Sequence, residues 1–337
     1  MCIVAGSDLL VLWDVDGTLL NADGIGHELY ELVFKQQFGR PLDGLAPMAG
    51  RTDRAIILET LELAGVPEPR RHVDQFIARL TAHAPAARAA VAARGRVLPG
   101  AASALAAVAA LATGSPPTAG RARRVRQSVL TGNIRPMAEA KLAALGLDGP
   151  LDLRIGAYGD DHEVRAELVG VARHRAADAD ADTFGRPAAD FAGRATVLVG
   201  DTPLDIEAAL ASGARAVGVA TGSFTAADLR AAGAHALLPD LTDTGLVMRA
   251  VLALGWPPAA RHVGEQGLSR PVQPRLRSES ATCAAVRHVS RVMSSQPYRS
   301  VDPPSAVAAL SRPSSRPRRS SGWACFPSSS ITRPNSP

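Results

Sequence analysis

Two acids two residues apart, Asp14 and Asp16, follow the apolar run Leu9-Leu10-Val11-Leu12-Trp13. Carboxylates that close repel one another unless a cation or a shared proton lies between them. Gly17 lets the chain turn sharply behind them, and Thr18 adds a hydroxyl. The competing readings are a turn or capping cluster and a calcium loop. The EF-hand loop is excluded: Thr18 stands at its fifth position, Gly17 arrives two places early, and Ile25 occupies the position that requires Glu.

A third carboxylate, Asp201, ends the apolar run Thr196-Val197-Leu198-Val199-Gly200, where it can complete a cation site with the first two. Asp205 lies three residues after Thr202, so it fits either that site or a plain capping box. Thr131 ends another apolar stretch and is followed by Gly132 and Asn133. A hydroxyl and backbone N–H groups there could hold an anion, or form an ordinary turn. Lys141 stands out because the chain has only one other lysine, Lys35, and otherwise uses arginine as its cation. One helix beyond Thr131, it suits a compact point charge beside a phosphoryl or carboxylate group, or an exposed helical position. Arg51, at the start of a predicted helix, could reach an anionic substrate group or stay in solvent. His27, His162 and His235 lack zinc spacing and read as structural or surface residues. No Walker A loop, G-x-S-x-G elbow or G-x-G-x-x-G fingerprint is present.

These residues need elements to bring them together. Leu9–Trp13, 127–130 and 196–199 read as strands buried on both faces. Ala216–Val219 and Ala236–Leu238 read as two shorter ones. Helices are expected at 26–38, 52–64, along a stretch from Pro69 to Ala93, and at 101–112, 136–145 and 162–177. Residues 151–155 form a strand or a loop. Thr202, Pro203 and Gly213 mark the N-cap, first position and end of a further helix. Alternating strands and helices predict an α/β fold with a Rossmann-like parallel sheet. Asp14, Asp16, Thr131 and Asp201 would then share the carboxyl edge of the sheet, where such folds bind ligands. The helical block between the first two strands is too long for one crossover and predicts an inserted α-helical cap. The expected division is a core of 1–22 and 97–255, a cap of 23–96, a basic inserted loop at 113–126 and a tail at 256–337.

DVDGT (14–18), LTGN (130–133), Lys141 and GDTPLD (200–205) resemble, in order, the four motifs of the haloacid dehalogenase-like (HAD) hydrolase superfamily. The likeness spans about residues 8–240. The position of the cap resembles the group that includes phosphoglycolate phosphatases and β-phosphoglucomutases. The resemblance implies a small phosphorylated substrate and a Mg2+ cofactor held by Asp14, the backbone carbonyl of Asp16, and Asp201, with Asp205 steadying the metal loop. Asp14 would be the nucleophile that forms an aspartyl-phosphate, and Asp16 the acid and then the base. Thr131, Asn133 and Lys141 would face the phosphoryl oxygens. The dehalogenases of the superfamily lack the second aspartate, so Asp16 favours phosphate chemistry. Phosphatase and phosphomutase remain open at this level. The basic insertion and the long tail depart from the family pattern without removing a motif residue.

Composition narrows the remaining classes. Residues 256–337 hold 12 Arg, no Lys and three acids, for +9; the whole chain is +5, so residues 1–255 carry −4. That tail also holds 12 of the 25 prolines and no sustained apolar period, which predicts disorder. Its arginines offer a third reading, a non-enzymatic protein whose tail binds nucleic acid or a partner, although no specific nucleic-acid target is expected. Three cysteines, at 2, 283 and 325, exclude a disulfide scaffold and fit a reducing, cytoplasmic setting. No apolar run reaches the roughly 18 residues of a membrane span, and the N-terminus does not read as a signal peptide.

Overall fold

The computed structural model describes residues 8–113, 125–184 and 191–255. Most of the basic insertion and all of the tail expected at 256–337 lie outside these residues. Five parallel strands form the main sheet: β1 (Leu9–Trp13), β4 (Val125–Val129), β5 (Thr196–Gly200), β6 (Arg215–Val219) and β7 (Ala236–Leu238). Their spatial order is β4-β1-β5-β6-β7.

β1 is fully buried, and its one polar side-chain atom, Trp13 Nε1, donates to Gln127 Oε1 at 3.1 Å. Leu9, Val11 and Trp13 pack into one apolar cluster and Leu10 and Leu12 into another, the period-two alternation of a strand covered on both sides. Trp13 lies opposite Val129 on one side and Val199 on the other. The chain thus leaves β1 to form β4 on one flank, then returns to place β5 on the other. That reversal opens a crevice at the carboxyl ends of β4, β1 and β5.

A second, two-stranded sheet joins β2 (Leu20–Asn21) and β3 (Arg96–Val97) antiparallel. Everything between them is helical or loop: α1 (Ile25–Phe38), α2 (Asp53–Leu63), a 3-10 turn (Pro69–His72), α3 (Val73–Ala82) and α4 (Ala84–Arg94). The stretch from Pro69 to Ala93 is therefore three pieces. Glu68 takes a left-handed φ of 48° before Pro69, and Pro85 opens α4 where its missing N–H costs nothing. Tyr30, Phe34, Phe76 and Val91 are buried with the apolar cluster of the main sheet.

The remaining helices are α5 (Ala101–Thr113), α6 (Arg135–Ala144), α7 (Arg165–Phe184), α8 (Pro203–Ala211), α9 (Ala226–Ala231) and α10 (Thr244–Gly255). α5 runs through Thr113 and β4 starts at Val125, so both ends of the insertion expected at 113–126 belong to regular elements. Residues 151–155 form turns rather than a strand, and pairing resumes only at the Leu130–Ala157 bridge. α8 opens as its sequence predicts, on a Thr202–Asp205 capping box with Pro203 in the first turn. Among the described residues, no helix is long and apolar enough to cross a membrane.

Candidate active site

Asp14 is the first residue beyond β1, and its N–H still donates to Val199 O at 2.8 Å, which aims the chain along the crevice. Gly17 then turns with φ +84°. A β-carbon there would lie 2.4 Å from Asp201 Oδ2, so glycine serves both the turn and the close approach of the carboxylate. Gly222 also comes close, and a β-carbon there would lie 1.7 Å from the same oxygen. Thr18 Oγ1 donates to Asp201 Oδ1 at 2.9 Å.

One carboxylate oxygen each from Asp14, Asp201 and Asp205 lies within 4.8 Å of the others, and all three residues are buried. Burial, with Asp205 beside it, pushes the Asp14 carboxyl well above the usual carboxylate range, against the pull of Arg165. Burial, and then the charge of Asp205, push Asp201 up to about 7. Three acids with one guanidinium among them leave the cluster short of positive charge. That donor set, oxygen only and net anionic, fits a hard divalent cation.

The guanidinium belongs to Arg165, on α7. Its Nη2 donates to Asp14 Oδ1 at 2.7 Å and to Asp205 Oδ1 at 2.5 Å. Burial alone would lower its pKa, but Asp205 and Asp14 hold it above its ordinary value. Its Nε is buried without a hydrogen-bond partner. Asp205 gives its other oxygen to the Thr202 N–H and hydroxyl. Cap and cluster member are thus one side chain, using one oxygen for each.

Asp16 faces a different set. Lys141 Nζ donates to both of its oxygens, at 2.9 and 2.7 Å, and to Asn133 Oδ1 at 2.7 Å. Asn133 Nδ2 donates to Asp16 Oδ2 at 2.7 Å and to Thr131 Oγ1 at 2.8 Å. Lys141 is buried along its stem, while the side chain of Asp16 is 42% exposed to the cavity. Thr131, Asn133, Lys141 and Asp16 form one chain of contacts, and Asp14, Arg165, Asp205 and Asp201 form another beside it. The carboxylate of Asp16 lies outside the three-acid group.

All of these residues except Asp205 line a cavity of about 500 Å³, which the helical segment between β2 and β3 helps to enclose. Arg51 lines it too, but its guanidinium is bound to Glu59 and to Pro47 O. The next residues lock this segment to the sheet. Asp53 N donates to Gly132 O at 2.7 Å, and Arg54 N to Gly159 O. Ile134 N donates to Asp53 Oδ2 and Tyr30 OH to Asp53 Oδ1, at 2.8 and 2.7 Å. Gly132 permits this contact: a β-carbon there would sit 1.8 Å from Arg51 O.

Sequence reasoning passed over two of these residues. Arg165 shares a helix face with Leu168, Val169, Ala172 and Ala176, all buried. An arginine in register with an apolar stripe was the available signal. Asp53 follows the N-cap Thr52 and looks like an ordinary first-turn acid; nothing local marks it as buried.

A sequence model described as haloacid dehalogenase-like hydrolase matches residues 11–210, well over half of the chain. The protein belongs to this family of hydrolases. Similar solved structures include CbbY from Rhodobacter sphaeroides in complex with phosphate. It is 19% identical, with 70% of this chain and 96% of that one covered and a TM-score of 0.47. A hydrolase from Pseudomonas syringae is 19% identical over 70% and 95%, with a TM-score of 0.45. A haloacid dehalogenase-like family hydrolase from Streptococcus pneumoniae is 14% identical over 69% and 95%, with a TM-score of 0.42. No curated protein matches the sequence.

Proposed function

We propose that the chain is a Mg2+-dependent phosphatase of the cytoplasm, acting on a small phosphorylated metabolite through an aspartyl-phosphate on Asp14. The observation that carries this reading is the convergence of Asp14, Asp201 and Asp205 in a family of hydrolases, with Asp14 and Asp201 lining a cavity that also presents Asp16.

In this reading residues 1–22 and 97–255 are the core, and residues 23–96 cap the site and keep bulk water out. Asp14, the backbone carbonyl of Asp16, and Asp201 hold the cation. When bound, Mg2+ offsets the repulsion between the carboxylate and the phosphate dianion. Asp14 attacks phosphorus while the bond to the leaving oxygen breaks, and Asp16 gives that oxygen its proton. Asp16 then takes a proton from water, whose oxygen attacks phosphorus. Inorganic phosphate leaves and the Asp14 carboxylate is restored. Arg165 opposes the rise that burial imposes on the Asp14 carboxyl and fixes its orientation. Lys141 and Asn133 hold Asp16, and Thr131 meets the phosphoryl oxygens. Asp205 positions Arg165 and the Thr202 turn rather than touching substrate.

The test is hydrolysis of 4-nitrophenyl phosphate. Activity is expected to stop with EDTA, return with Mg2+, and fall by about a thousandfold or more in Asp14→Asn. Undiminished turnover in Asp14→Asn refutes the mechanism. Isomerisation of a sugar phosphate without phosphate release replaces the phosphatase with a phosphomutase.

A further inference from the structure

The phosphatase reading leaves the alcohol half of the substrate open, and this inference rests on that reading. The cavity holds about 500 Å³, room for roughly seventeen waters at about 30 Å³ each and far more than a phosphoryl group fills. Its charged floor is the two side-chain sets at the sheet edge, Asp205 excepted. The large apolar side chains of the lining are Leu29 of α1, Ile56 of α2, Leu80 of α3, Met137 of α6, Met48 before α2 and Leu98 after β3.

The polar groups among these walls are already engaged by the protein. The Tyr30 hydroxyl donates to Asp53, whose two oxygens are taken by Tyr30 and Ile134 N. Arg51 is paired with Glu59. A hydroxyl-rich leaving group would lose its water here and gain few partners, and each buried group left unpaired is costly. An apolar group loses nothing by the exchange and gains burial. Of the other polar lining residues, Thr202, Thr221 and Ser223 stand beside the acids, with the Thr221 hydroxyl donating to Gly17 O, while Asn21, Asp23, His27 and Arg96 stand at the β2–β3 sheet and the start of α1. Asn21 is partly exposed and the other three of this group are exposed, so a substituent there still meets water.

We infer that the substrate is a phosphate monoester of a predominantly apolar alcohol, alkyl or aryl, rather than of a sugar. The specificity-determining residues are Leu29, Met48, Ile56, Leu80, Leu98 and Met137. The phosphate lies at the acids, the hydrocarbon body lies against these six, and any polar substituent points to the β2–β3 sheet.

A homologous series tests this at nearly constant leaving-group chemistry. kcat/KM is measured for ethyl, butyl, hexyl and octyl phosphate, with glucose 6-phosphate for comparison and 4-nitrophenyl phosphate as control. The expected rise is about fourfold per methylene until the chain fills the cavity, with hexyl phosphate ahead of glucose 6-phosphate by a hundredfold or more. Turnover of 4-nitrophenyl phosphate with a flat alkyl series, or with glucose 6-phosphate preferred, overturns this inference and leaves the phosphatase standing. No turnover of any ester, the control included, overturns both.

Discussion

Replacing Arg165 with methionine tests how the buried acidic cluster is held together. Methionine keeps much of the length and the apolar stem while removing the guanidinium. Asp14 and Asp205 then lose a shared partner at 2.7 and 2.5 Å, in a place where all three side chains are at most 7% exposed. Breaking one side of a buried ion pair costs about 3–5 kcal/mol, because the orphaned charge stays buried. Part of that is returned, about 1 kcal/mol, because the unpartnered Arg165 Nε disappears too. A net loss of about 2–4 kcal/mol remains. In a domain of this size each kcal/mol moves the melting temperature by about 2–4 °C, so the expected drop is roughly 5–15 °C in EDTA. A cation bound only by the folded state restores about 2.7 kcal/mol at a hundredfold excess over its dissociation constant. Differential scanning calorimetry of both proteins, in EDTA and in saturating Mg2+, measures each quantity. A variant that melts within a degree or two of the wild type in EDTA refutes the account of Arg165 as the internal counter-charge. Mg2+ that raises the melting temperature of neither protein refutes the account of Asp14 and Asp201 as cation ligands.

Other substitutions probe the remaining contacts. Asp53→Ala orphans the Tyr30 hydroxyl and the Ile134 N–H and should cost about 2–4 kcal/mol by urea unfolding. Asp53→Asn can serve both partners and should cost far less; equal losses would show that the charge matters rather than the hydrogen bonds. Gly132→Ala pushes a methyl into Arg51 O and should lower kcat/KM at least tenfold by displacing the helical segment from the Thr131 loop. Unchanged kinetics would mean that this contact does not position the site. Asp201 supplies a pH test. Its folded value, about 7, lies above the unfolded value near 4. Its contribution to stability is therefore complete below about pH 4 and is lost as pH rises to about 7. In EDTA, the stability of wild type relative to Asp201→Asn should fall between pH 5 and 7, by up to about 1.4 kcal/mol per unit. A relative stability that rises over that interval contradicts the sign.

The apolar run of β1 admits little but a strand covered on both faces, and Asp14 and Asp16 follow at its end. Asp201 ends β5 in the same way, and the Thr202-Pro203 opening of α8 is readable residue by residue. These features are legible because strand burial, strand ends and helix caps depend on neighbours in sequence. The β2–β3 pair was not legible, since two-residue strands carry no period. Arg165 meets Asp14 across 151 positions and Asp205 across 40. No local pattern encodes such a contact, and the lysine that stood out, Lys141, holds Asp16 instead. Asp53 reads as a first-turn acid and becomes a buried link only because Gly132 lets the two loops meet. The sequence by itself determined which residue types stand at the sheet's carboxyl edge. Tertiary structure decided which charge meets which, because a buried ion pair is set by where distant elements pack, and packing is a property of the whole chain.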